Sequence, residues 1–100
     1  MAEGVLPAGH VARRLRITGR VQGVGYRAWA VETASGLGLD GWARNRTDGS
    51  VEALIVGEAA AVEDFIRRAH EGPMIAKVDG VEAMPAKGIV ASGFVQKPTV

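Results

Sequence analysis

The sequence predicts an α+β domain of the ferredoxin-like kind. It is a split βαβ sandwich in the order β-α-β-β-α-β, with both helices on one face of an antiparallel sheet and a short extra C-terminal strand. Three observations lead there. The apolar period switches between two and about 3.6 residues in that order along the chain. An Asp-Gly pair, a strong hairpin signal, joins the middle two strands. No repeat, low-complexity tract or linker interrupts the 100 residues, a length that suits one domain. Elements in this order bury one face of the sheet beneath the two helices.

The first strand is read over residues 11–18. Val11, Leu15 and Ile17 fall on one face; Arg14, Arg16 and Thr18 fall on the other. From Tyr26 the period becomes helical. Tyr26, Trp29, Ala30, Ala34 and Leu37 share a stripe, and Gly36 and Gly38 end it. Residues 39–46 read as the second strand, Thr47-Asp48-Gly49 as a tight turn, and 50–56 as the returning strand, with Val51, Ala53 and Ile55 on one side. Gly57-Glu58 leads into a second helix with the stripe Val62, Phe65, Ile66 and Ala69. Acidic residues are expected early in that helix, and Arg67, Arg68 and His70 late, as its dipole favours. Gly72-Pro73 stops it. Residues 78–84, interrupted by Gly80, form the fourth strand, and 92–97 a short fifth ended by Pro98. Residues 1–9 are expected to be a loose tail and 10–98 the domain.

Composition narrows the function. The chain is 47% hydrophobic and 23% charged, with a formal net charge of +1. That balance argues against a protein built to grip nucleic-acid backbone. Arg13, Arg14, Arg16, Arg20 and Arg27 gather in the first third. They form either a solvated strand face or a field that draws in a small anion. There is no cysteine, so thiol catalysis, disulfides and thiolate metal sites are excluded. No apolar run reaches membrane-spanning length, and the N-terminal stretch lacks the features of a secretory signal. The expectation is a cytoplasmic monomer with no cofactor, no metal, no membrane and no nucleic-acid partner.

The chemistry concentrates in Gly19-Arg20-Val21-Gln22-Gly23-Val24-Gly25-Tyr26-Arg27, where the first strand gives way to the first helix. Glycines at such a junction let the backbone curl and point its N–H groups into one space. The helix N-terminus adds partial positive charge there. Arg27 adds a planar fork of donors that matches two oxygens of one phosphate. This reads as an anion cradle made by the backbone of Val21, Gln22, Gly23, Val24, Gly25 and Tyr26. The predicted topology returns Arg44-Asn45-Arg46, at the end of the second strand, to the same edge of the sheet. Arg27 and Asn45 become neighbours, and an amide both donates and accepts hydrogen bonds. A cradle, a clamping arginine and an amide that holds a water form a minimal site for water attacking a phosphate.

Two motifs resemble one family. Gly19 to Arg27 resembles the signature G-x-V-Q-G-V-x-[FY]-R. Gly41-Trp42-Ala43-Arg44-Asn45-Arg46-Thr47-Asp48-Gly49-Ser50-Val51 resembles G-[WFY]-[VA]-x-N-x-x-x-G-x-V. The family is acylphosphatase, and the likeness covers roughly residues 11–96. It implies metal-independent hydrolysis of an acyl phosphate to a carboxylate and inorganic phosphate, without a covalent phosphoenzyme. By the same resemblance Arg27 binds the phosphate, backbone amides from about Val21 to Arg27 hold its oxygens, and Asn45 orients the water. Gly25 stands at a variable position of the first motif and adds backbone freedom. Arg46 adds charge near the site or is a solvated hairpin residue. Ser50 is placed to help hold the hairpin that carries Asn45. The terminal Phe94-Val95-Gln96-Lys97-Pro98 lacks the aromatic strand of some members, which leaves the late edge packing open.

Other readings are weaker. Trp29 and Trp42 read as core, with the mouth of the site as an alternative for Trp42. His10 and His70 read as surface residues, with no carboxylate–histidine pairing for metal or triad chemistry. Gly36-Leu37-Gly38-Leu39-Asp40-Gly41 matches G-x-G-x-x-G, but runs from helix to strand, the reverse of a dinucleotide site. An RNA-recognition module shares the element order, but needs aromatics on the two central strands; residues 13–18 and 51–56 carry none. An anion sensor without turnover keeps the cradle and differs only in kinetics.

Overall fold

A computed structural model describes residues 6–88 and 90–100. Its elements are β1 (His10–Arg20), α1 (Tyr26–Gly36), β2 (Asp40–Asn45), β3 (Val51–Glu58), α2 (Ala59–Ala69), β4 (Lys77–Pro85) and β5 (Phe94–Gln96). The strands form one sheet in the order β4-β1-β3-β2-β5. Pairs β4–β1, β1–β3 and β3–β2 are antiparallel. The ferredoxin-like split βαβ sandwich is therefore observed, with one departure from an all-antiparallel sheet: β5 runs parallel to β2, Gly41 facing Phe94 and Ala43 facing Gln96. The chain leaves β4 along the outer face of the sheet, where Ala86 and Val90 pack on Ala12, Leu54 and Val56. It thus enters the far edge from the end where β2 begins. Leu6 joins that small cluster, Pro7 O accepts from His10 N–H and Gly9 O from Ala59 N–H, both at 3.0 Å; residues 1–5 of the expected tail lie outside the described residues.

The core lies between the sheet and the helices. Leu15, Ile17, Val51, Ala53 and Ile55 meet Tyr26, Ala30 and Ala34 of α1 and Val62, Phe65 and Ala69 of α2. These are the alternating and helical stripes read from the sequence. Each large buried side chain contributes roughly 1.5–3 kcal/mol by leaving water. Aromatic rings continue the core edgewise: Tyr26 to Trp29, Trp29 to Phe65 and Phe65 to Phe94 have centroids 5.2, 5.9 and 6.2 Å apart.

Several boundaries differ from the sequence reading. β1 extends to Arg20, because a bulge between Thr18 and Gly19 keeps it paired to β4. β2 loses a residue at each end, Leu39 and Arg46. β3 runs through Gly57 and Glu58, whose partners Val11 and His10 continue the ladder, so those residues are strand rather than helix lead-in. As a result α2 starts on three alanines and has no acidic residue in its first turn. Glu63 and Asp64 fall one turn later, where Asp64 meets Arg67 and Arg68. The basic half of the dipole pattern stands, with Arg67 and Arg68 in the last turn.

Candidate active site

The strand registers bring four strand ends to one end of the sheet. Arg20 at the end of β1 faces Lys77 at the start of β4, and Asn45 at the end of β2 faces Val51 at the start of β3. Between β1 and α1 the backbone turns sharply. Gly23 has φ +73° and Gly25 φ +80°, while no non-glycine residue among those described has positive φ. The sign of φ therefore alternates from Gly23 through Val24 to Gly25, which aims successive N–H groups into one concavity. Among the described residues the N–H groups of Gln22, Gly23, Val24 and Gly25 donate to no backbone carbonyl. Gly25 is the N-cap of α1, so the first N–H groups of the helix are also free of intrahelical partners. This turn falls within Val21 to Tyr26, the residues expected to form the cradle. Gly19 serves another purpose: at φ +116° it sits in the β1 bulge, where a Cβ would collide with the Lys77 carbonyl oxygen.

A small cavity of about 140 Å³ opens over this turn, lined by Val21, Gly23, Gly25, Tyr26, Arg27, Ala28, Asn45 and Gln96. The structure thus places Arg27 and Asn45, eighteen residues apart in sequence, on one cavity wall system with the cradle. Among the described residues the Arg27 guanidinium has no carboxylate partner, whereas Arg14, Arg16, Arg44 and Arg46 all do. The Asn45 side chain makes no hydrogen bond there either; its backbone carbonyl accepts from Val100 N–H at 3.2 Å. Tyr26 is buried and its hydroxyl donates to the Ala69 carbonyl at 2.7 Å. Burial pushes its pKa upward, so the hydroxyl keeps the proton that ties α1 to the end of α2.

Asn45 is held by its turn. Arg46 N–H donates to Ser50 O at 2.9 Å and Gly49 N–H to Arg46 O at 3.1 Å. With Gly49 at φ +94° this is a hairpin with a three-residue loop rather than the two-residue turn that Asp-Gly suggests. Asp48 accepts from Ser50 N–H at 2.9 Å and Ser50 Oγ at 2.6 Å. Those bonds, with one from Arg16, hold the Asp48 carboxyl at about 2. Ser50, buried, thus holds the hairpin. Gln22, read only as cradle backbone, sends its side-chain amide to Arg46 O and Ser50 O, both at 2.8 Å. Its fixed place in the first motif was the available signal. Gln96 had none: it reaches the cavity through the parallel pairing of β5.

The remaining polar residues stand elsewhere. Trp42 is on the opposite face of the sheet, flanked by Arg44 at 4.6 Å and Lys97 at 5.1 Å, so it is neither helix-side core nor mouth of the cavity. Trp29 is partly buried against the core. Arg14, Arg44 and Arg46 converge on the buried carboxylate of Glu52, and Arg16 pairs with Asp48 and Glu82. Burial acts to raise the Glu52 pKa, but the Arg44 and Arg46 hydrogen bonds outweigh it and hold the carboxyl below its ordinary value. Arg14, Arg16 and Arg46 therefore match the solvated-face reading, and Arg27 alone of the early arginines lines the cavity. Among the described residues no group of three or more His, Asp or Glu side chains is placed to share a metal ion, and no helix is long and apolar enough to cross a membrane.

The sequence matches the family model for acylphosphatase over residues 13–96. An acylphosphatase from Rhizorhabdus wittichii is 53% identical over 90 residues, covering 90% of this chain and 91% of that protein. Among solved structures, an acylphosphatase from Coxiella burnetii superposes with a TM-score of 0.86 at 28% identity, covering 89% of this chain and 94% of that one. The acylphosphatase from Bacillus subtilis gives a TM-score of 0.82 at 31% identity, covering 87% and 98%. With both motifs on one cavity and the family match spanning nearly all of the domain, this chain belongs to the acylphosphatase family.

Proposed function

We propose that this protein hydrolyses acyl phosphates by direct attack of a water on phosphorus, with Arg27 and the cradle binding the phosphate and Asn45 orienting the water. The observation that carries the reading is the juxtaposition in one cavity of an arginine, an asparagine and a turn of backbone N–H groups, whose side-chain and N–H donors have no partner among the described residues. The family match supports the substrate class. The cavity is well below the roughly 300–1,000 Å³ that encloses a drug-sized ligand. It suits a phosphate and a water, and leaves the acyl group outside.

The chemistry asks little else. Charge on the phosphate oxygens is met by Arg27, the cradle amides and the positive end of α1. The water oxygen bonds to phosphorus as the bond from phosphorus to the bridging oxygen breaks. The electron pair leaves with a stabilised carboxylate, so alignment matters more than a strong base. Among the described residues no histidine or carboxylate lines the cavity, and Arg27 stays protonated. The water's proton therefore passes to a phosphate oxygen of the substrate.

The test is hydrolysis of benzoyl phosphate, followed by ultraviolet absorbance with a metal chelator present. Arg27→Ala is expected to lose turnover and inhibition by inorganic phosphate together. Asn45→Ala is expected to lose about 10²–10³-fold in kcat while phosphate still inhibits. Unchanged kinetics in both variants would overturn the assignment. A wild-type protein that binds phosphate without turnover would be an anion-binding module instead.

A further inference from the structure

Gln22 carries no charge, yet its side chain spans the two halves of the site. Its neighbours Val21 and Gly23 line the cavity. Its Nε2 donates to the carbonyl oxygens of Arg46 and Ser50, both at 2.8 Å. Arg46 directly follows Asn45, and Ser50 directly precedes Val51, the ladder partner of Asn45. Two carbonyl oxygens converging on one point call for a donor with two hydrogens, which fixes the orientation of the amide. The bonds are part-buried, so water competes with them weakly.

The turn does not need Gln22 for its own shape. Arg46 N–H to Ser50 O closes it, Asp48 caps Ser50, and Thr47 N–H to Val100 O ties it to the C-terminal segment at 3.0 Å. What the Gln22 amide adds is a link between that turn and the cradle. We propose that the Gln22 side chain is a positioning residue for hydrolysis: it sets the separation between the phosphate cradle and Asn45, and so the line from the held water to phosphorus. This rests on the acyl-phosphate reading above. A reacting group displaced by about 1 Å loses on the order of 10²-fold in rate, whereas phosphate binding, which uses Arg27 and the cradle, is left largely intact.

The experiment compares wild type, Gln22→Leu and Gln22→Glu in benzoyl phosphate turnover, inhibition by inorganic phosphate and thermal midpoint, across pH. Gln22→Leu has no donor at any pH. It is expected to lose roughly 10–100-fold in kcat with phosphate inhibition unchanged, and its ratio to wild type is flat in pH. Gln22→Glu opposes two carbonyl oxygens with a carboxylate when ionised and regains one donor when protonated. Its kcat relative to wild type is expected to rise as pH falls through the carboxyl range, a response that a merely structural defect does not give. Full kcat in Gln22→Leu, a parallel loss of phosphate inhibition and kcat, or a pH-independent Gln22→Glu ratio would each overturn the proposal. Absence of turnover in wild type would instead remove the hydrolase reading, and this proposal with it.

Discussion

Gly25 shows how one residue shapes the chemistry. A Cβ at this position would meet open space, but φ is +80°, a conformation that costs an L side chain roughly 1–2 kcal/mol. The glycine supplies a left-handed step rather than looseness, and in the proposed cradle that step aims the N–H groups. Gly25→Ala is therefore expected to weaken inhibition by inorganic phosphate and to destabilise the fold by about 1–2 kcal/mol; equilibrium denaturation and a phosphate titration check both. The placement of Arg27 and Asn45 on one cavity was legible in the sequence because their motifs set residue type and spacing together. Gln22 was legible only as backbone. Nothing in its local sequence reveals which carbonyls its amide will reach twenty-four and twenty-eight residues later. The pairing of Arg46 with Glu52 was illegible for the same reason, since cross-strand geometry defines it.

The hairpin between β2 and β3 is the element that delivers Asn45, and its order depends on pH. Ser50 Oγ–H, Ser50 N–H and Arg16 hold the Asp48 carboxyl at about 2 against an ordinary 3.8. The folded value lies below the unfolded one, so the carboxylate's contribution is complete above about pH 4 and is lost as pH falls toward 2. Thermal midpoints measured from pH 5 to pH 2 should fall less steeply in Asp48→Asn than in wild type; equal slopes would mean the cap does not steady the fold. The elements themselves were read well where periodicity was long and one-sided, as in α1, α2 and the alternating part of β1. Boundaries failed where pairing decides them. Gly57 and Glu58 look like a helix approach, but β1 offers them ladder partners, and backbone hydrogen bonds override the local pattern.

Over the whole molecule, the cavity draws on residues 21–28, Asn45 and Gln96, so it exists only when the complete sheet is assembled. Phe65 lies at the centre of that assembly, fully buried and in ring contact with Trp29 and Phe94. Phe65→Ala is expected to cost about 3–5 kcal/mol, a large part of the stability of a domain this size, and to lower activity by unfolding the site rather than by altering its chemistry. Activity and far-ultraviolet circular dichroism should then fall together on heating. The parallel placement of β5 was the least legible feature, because three residues carry too little pattern to state a direction. It follows from the outer-face path of the chain after β4. Hydrolysis of benzoyl phosphate in water labelled with oxygen-18 tests whether the cavity aims water at phosphorus. After subtraction of the uncatalysed reaction, the label is expected in inorganic phosphate and not in benzoate. Label in benzoate would place the attack on the acyl carbon and contradict the roles given to Arg27 and Asn45.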